Sequence, residues 1–161
     1  MDYGKAAPGS VQAMYKLEKY VEESGLEHSL LELVKTRVSQ INGCAFCIDM
    51  HTKDARAAGE TEQRLYGLSA WREAPYYSER ERAALAWAEV ITNISQTHAS
   101  DEEYEAARAL FSEEELVKLT MGVIAINGWN RLAIAFRSEV GTYQPRRNTK
   151  AVARSSEVLA T

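Results

Sequence analysis

Apolar residues recur along this chain at every third or fourth position, and no run rich in Val, Ile and Thr alternates with polar residues. The pattern predicts helices throughout and no strand. Val11, Met14, Tyr15, Leu17 and Val21 form one apolar face over 10–24, which Gly25 closes. A second helix is expected over 28–41, with Ser29 and Glu32 as a capping box and Asn42-Gly43 as its stop. A third runs over 44–58 and ends at Gly59, and Thr61 caps a short fourth carrying Leu65, Tyr66 and Leu68. After a connection at 69–77, Ser78 with Glu81 opens a helix carrying Ala84, Leu85, Trp87, Ala88, Ile91 and Ile94. Asp101 caps a shorter one ending near Phe111, and Ser112 with Glu115 opens a long one to about Arg137. The expectation is an all-α bundle of about six to seven helices over 1–137. From Leu119 to Ala135 the last helix is apolar around most of its circumference, which marks it as the buried centre. Residues 138–161 are a polar C-terminal tail, expected to pack on a neighbouring subunit.

Composition narrows the class. A chain of 161 residues, 45% hydrophobic and 26% charged, reads as one soluble domain. Its longest uncharged stretch, Leu119 to Asn130, falls short of the roughly 20 residues that a membrane span needs. The first residues lack the basic and apolar regions of a secretory leader. The net charge of -4 argues against nucleic acid, and the cluster Arg146, Arg147 and Lys150 has no interleaved aromatics. Two cysteines three positions apart are no secreted disulfide framework, so a cytoplasmic protein is expected.

Those cysteines carry the candidate chemistry. At about 100° per residue, Cys44, Cys47 and His51 point within roughly 60° of one another along one helix face. Cys44 stands at a helix start, where exposed amides and the helix dipole favour thiolate over thiol. The spacing supplies a nucleophilic thiolate, a second thiol to resolve it and an acid/base: the parts of dithiol redox chemistry. Two other readings compete. The cysteines could be inert core residues. They could also join His51 in a zinc site, for which His98 or Glu32 would have to be the fourth ligand. A thioredoxin fold is disfavoured, because its C-x-x-C follows a strand. Glu32 either completes the capping box with Ser29 or reaches across the Asn42-Gly43 turn to orient His51. Asn127, Asn130 and Arg131 share a face of the apolar helix and suggest a structural or interface network. Trp71, Tyr76 and Tyr77 read as packing or a pocket wall, and His28 and His98 as surface residues.

The stretch from Leu31 to Trp71 resembles the core of the alkylhydroperoxidase AhpD-like proteins of the carboxymuconolactone decarboxylase superfamily. The resemblance rests on Glu32, twelve residues before Cys44, on the run from Lys35 to Cys44, on Cys47, and on the run from His51 to Glu60. The segment from Ile126 to Ala133 belongs to it too. It implies an all-helical fold that assembles into trimers or hexamers. It further implies lipoyl-dependent peroxidase activity, reducing hydroperoxide to alcohol and water with an external dithiol reductant and with no bound cofactor or metal. Cys47 would be the peroxidatic thiol. Cys44 would be its resolving partner, open to the reductant, with His51 and Glu32 as proton relay. One departure stands out: the best-known members carry a histidine where this chain has Phe46. The decarboxylase branch lacks the cysteine pair, which argues against lactone decarboxylation. A dithiol–disulfide oxidoreductase and a redox-sensing or ligand-binding protein are the alternatives.

Overall fold

The computed structural model describes residues 1–145. Among them the chain forms α1 (Tyr3–Ala6), α2 (Pro8–Glu22), α3 (His28–Asn42), α4 (Ala45–Ala57) and α5 (Glu62–Tyr66). A 3-10 turn, Gly67–Ala70, leads on to α6 (Glu79–Thr92), α7 (Ile94–Thr97), α8 (Asp101–Arg108) and α9 (Glu113–Ala135). No strand occurs among the described residues, so the all-α expectation holds. The expected count of six to seven is corrected to nine α-helices in this region. The two extra ones, α1 and α7, have four residues each, too few to display a hydrophobic period. Ile94 therefore starts α7 instead of extending α6.

Local chemistry accounts for most boundaries. Ser78 with Glu81 and Ser112 with Glu115 form reciprocal capping boxes at α6 and α9. At α8 the box is Ser100 with Glu103, one residue before the expected Asp101 cap. At α3 no box forms: Glu27 is the N-cap and makes no side-chain cap. Ser29 lies inside the helix, which releases Glu32 for another partner.

The centre of the bundle is α3, not α9. It packs against α4, α6 and α9, and it buries Leu30, Leu31, Leu33, Val34 and Val38 together with Glu32, Lys35, Thr36 and Ser39. In contrast α9 buries Leu116, Leu119, Val123 and Ile126 but leaves Val117, Ile124 and Ile134 exposed. Apolar residues on every side of a helix give no preferred face, and one chain covers only part of its circumference.

Asparagines fasten α9 to the end of α3. The Asn42 side chain donates to Asn127 Oδ1 at 3.0 Å and Asn130 Oδ1 at 2.8 Å. Fully buried Asn130 donates to Ser39 Oγ at 3.1 Å, and Arg131 donates to Asn127 Oδ1 at 2.9 Å. Buried amides satisfied in this way fix one arrangement. Here they fix the turn that delivers Cys44. The described part of the tail rests on α4 of its own chain, with Lys53 Nζ donating to Tyr143 O at 3.0 Å. The Arg146, Arg147 and Lys150 cluster lies outside the described residues.

Candidate active site

Gly43 takes the left-handed conformation (φ 69°) and ends α3, a backbone geometry that glycine adopts without strain. Its N–H donates to Gln40 O, and that of Cys44 to Ser39 O at 2.9 Å. The turn lays α4 alongside α3, with Cys44 as the N-cap of α4. The Cys47 N–H donates to Cys44 Sγ at 3.3 Å. Cys44 and Cys47 are joined as a disulfide, with Cα atoms 5.4 Å apart, and both are buried.

One turn beyond Cys47, His51 is buried and its Nδ1 lies 2.9 Å from Glu32 Oε2. The expected residues Glu32, Cys44, Cys47 and His51 are thus brought together by two adjacent helices. His98, the other proposed zinc ligand, caps the end of α7 and does not line this site.

Cys47, His51 and Glu32 open onto a cleft of about 750 Å³. Phe46, Met50, Tyr15 and Trp129 give it apolar walls, and Tyr143 and Pro145 border it from the tail. Cys44 is not among its lining residues, so the two sulfurs differ in access.

Several groups around Glu32 were not legible as site residues. Lys35 Nζ and His28 Nε2 each lie 4.0 Å from Glu32 Oε1. His28 is therefore no unattached surface histidine, although it is exposed. Lys35 is buried and pairs with Glu18 of α2, which also accepts the Trp129 indole N–H at 3.2 Å. Asp54 accepts the Tyr143 hydroxyl at 2.8 Å, and its carboxylate lies within 4.8 Å of the facing atoms of Glu32 and His51. Among the described residues these three could offer ligand atoms to a metal. Glu32 Oε2 and His51 Nδ1 are already spent on each other, so they read as an acid–base cluster. The i–4 and i+3 spacings of His28 and Lys35 from Glu32 were visible signals. Glu18, Trp129 and Tyr143 arrive from distant segments with no local pattern.

Burial alone pushes the Glu32 carboxyl up, but the His51 hydrogen bond and the charges of His51, Lys35 and His28 hold it below the usual carboxylate range. Asp54 is raised, chiefly by burial, against the Tyr143 hydrogen bond.

The helical bundle thus presents Cys47, His51 and Glu32 at one cleft, with Cys44 joined to Cys47 behind it. The chain belongs to the carboxymuconolactone decarboxylase family, whose model matches residues 8–90, and within it to the AhpD-like members. It is 48% identical over 135 residues to the uncharacterized protein YdfG of Bacillus subtilis, covering 84% of this chain and 92% of that one. A crystal structure from Agrobacterium tumefaciens, of a protein of unknown function described as a candidate AhpD antioxidant defence protein, superposes with a TM-score of 0.85. It is 49% identical, and the match covers 89% of this chain and 98% of the other. The debrominase Bmp8, solved with 2,3,4-tribromopyrrole, shares the fold at 21% identity (TM-score 0.76, covering 86% and 74%). That likeness is one of fold alone.

Proposed function

We propose that the protein is an antioxidant dithiol peroxidase that reduces organic hydroperoxides. The observation that carries the reading is the Cys47 sulfur at the wall of a cleft with both apolar and charged lining, beside a histidine whose Nδ1 is held by Glu32. In the reduced enzyme, the Cys47 thiolate attacks the terminal peroxide oxygen. An S–O bond forms, the O–O bond breaks, and the departing alkoxide takes a proton from His51 to leave as alcohol. The Cys44 thiolate then attacks the Cys47 sulfenic acid, expelling hydroxide, which leaves as water once protonated, and forming the disulfide. An external dithiol of the lipoyl type returns both thiols, itself becoming a disulfide. The Cys47 N–H aimed at Cys44 Sγ supports the resolving role, because it stabilises a thiolate there. Such a cycle fits a reducing, cytoplasmic setting. It needs no bound cofactor.

Consumption of cumene hydroperoxide coupled to dihydrolipoamide tests the reading. Turnover well above that of free dithiol supports it, and a rate equal to the free-dithiol background sinks it. Disulfide exchange with protein or small thiols in the absence of peroxide turnover would favour the oxidoreductase alternative. Reversible oxidation without turnover of either kind would favour a sensor.

The exposed Val117, Ile124 and Ile134 of α9 favour self-association, as do the exposed Tyr15, Tyr20, Tyr66 and Tyr104. The protein is proposed to form a closed homo-oligomer, a hexamer in preference to a trimer. Light scattering should return six or three times 18.0 kDa, and a persistent monomer mass would remove this part.

A further inference from the structure

We propose that Lys35 is a positioning residue of this site: its buried ammonium, anchored by Glu18 of α2, faces Oε1 of Glu32 and keeps that carboxylate ionised while Oε2 holds His51. The inference rests on the peroxidase reading for its purpose, though not for its physics.

The geometry divides the two oxygens of Glu32. Oε2 meets His51 Nδ1 at 2.9 Å, and Oε1 meets Lys35 Nζ and His28 Nε2 at 4.0 Å each. The side chains of Glu32 and Lys35 are only 6% and 5% exposed, so neither charge is screened by bulk water. A buried carboxylate without a cation takes up a proton instead. His51 cannot be the permanent cation, because a group that gives or receives a proton during turnover is neutral for part of the cycle. His28 is 65% exposed and is largely screened. Among the described residues Lys35 alone is buried, cationic and close.

Its own anchorage is built from two further helices. Glu18 of α2 pairs with the ammonium, and the Trp129 indole of α9 donates to the other Glu18 oxygen at 3.2 Å. The remaining charges around Glu32 oppose ionisation or are distant from it. Asp54 of α4 adds a second negative charge, and its Tyr143 partner is neutral. Glu60 shares a smaller cavity with Glu32, and Lys19 and Glu22 of α2 line the cleft. The hydrogen bond and charges that hold the Glu32 carboxyl below its usual range act in the same sense. Glu32 is then a fixed anion that steers the His51 ring through Nδ1, and the proton moved in turnover passes through Nε2.

The test follows the carboxyl 13C shift of Glu32 against pH in the full chain. In the wild type it should titrate below the usual carboxylate range. In Lys35→Met it should move up by about 1–3 units, the effect of losing an adjacent opposite charge, and Lys35→Arg should restore it. The double variant Glu18→Gln/Lys35→Met removes the pair together, leaves no uncompensated Glu18 charge to unfold the chain, and carries the same expectation. The acid limb of the peroxidase pH profile should shift in parallel. A merely structural lysine would lower the rate at every pH and leave both midpoints in place. An unmoved Glu32 titration overturns the proposal whatever the activity does. A moved titration in a protein that turns over no hydroperoxide upholds Lys35 and removes the peroxidase reading instead.

Discussion

Two of the regions in which this molecule buries or half-buries charge use it differently. Around residues 60–82, Arg82 spends its guanidinium on carbonyls of the connection after the 3-10 turn: Trp71 and Arg72 at 3.1 Å each, Tyr77 at 3.2 Å, and Ala74. Arg64 bonds Glu60 at 2.9 Å, Glu81 at 2.5 Å and the Tyr76 carbonyl. The Tyr77 hydroxyl closes back onto Arg64 O, and burial pushes its pKa up to about 12. These are permanent charges and a phenol that stays neutral, pointed at backbone, so the cluster holds a loop. Around Glu32 a carboxylate held low, a second carboxylate raised by burial and a buried histidine gather at a cleft beside a disulfide. Ion pairs alone therefore identify no function. What separates the regions is a proton-exchanging group with an unspent face toward open volume.

The largest effect that would break this contrast lies at the sulfurs. Cys47→Ser should abolish hydroperoxide reduction, since no other thiolate reaches the cleft. Cys44→Ser should react once and leave an oxidised Cys47, read by mass spectrometry after one equivalent of peroxide. If Cys44→Ser stays unoxidised while Cys47→Ser gains oxygen, the two roles are reversed.

A paired substitution sharpens the comparison next. His51→Ala should lower the rate per folded molecule by about 10²–10⁴, the usual worth of a positioned acid/base, a loss far larger than the stability lost with its bond to Glu32. Arg82→Met should do the opposite. It strands several loop carbonyls at about 1–3 kcal/mol each where they are buried, so the melting temperature falls while the rate per folded molecule holds. Equal losses of stability and rate in both variants would erase the distinction between the regions.

The helical pattern made the fold class, the long helices and two capping boxes readable, because each depends on residues within one turn. The short α1 and α7 were not readable, having no period to display. The position of α9 misled for a related reason: uniform hydrophobicity says that a helix prefers burial, not which neighbour covers it. At the site, the in-line spacing of Cys44, Cys47 and His51 was legible since α4 alone sets it. Glu32 was ambiguous, because Ser29 three residues earlier offered a local partner that only the actual N-cap, Glu27, rules out. The Lys35–Glu18–Trp129 anchorage spans three helices and left no trace in local spacing.

The smallest expected effect concerns stability against pH. The folded-state carboxyl of Glu32 lies below its ordinary value, so its ionised form contributes stability. That contribution is fully present above the unfolded pKa, near 4.3 for a glutamate, and is lost as the pH falls through the lower folded value. Glu32→Gln keeps the shape and removes the charge. At neutral pH it should destabilise by about 1.5–3 kcal/mol, the worth of a hydrogen bond to a charged group. As the pH drops through the acid range, the wild type should lose this advantage and the two curves should converge. Glu27 and Glu89 are also held low and add to the acid loss, but both remain in the variant and cancel in the difference. Asp54, raised by burial, loses its negative neighbour in the variant, so its titration moves down and slightly narrows the gap. Melts of the oxidised protein, in which neither cysteine titrates, measure the difference directly. A constant offset between wild type and Glu32→Gln from neutral to acid pH would mean that Glu32 contributes through shape alone, and the site would then resemble the Arg82 cluster more than its cleft suggests.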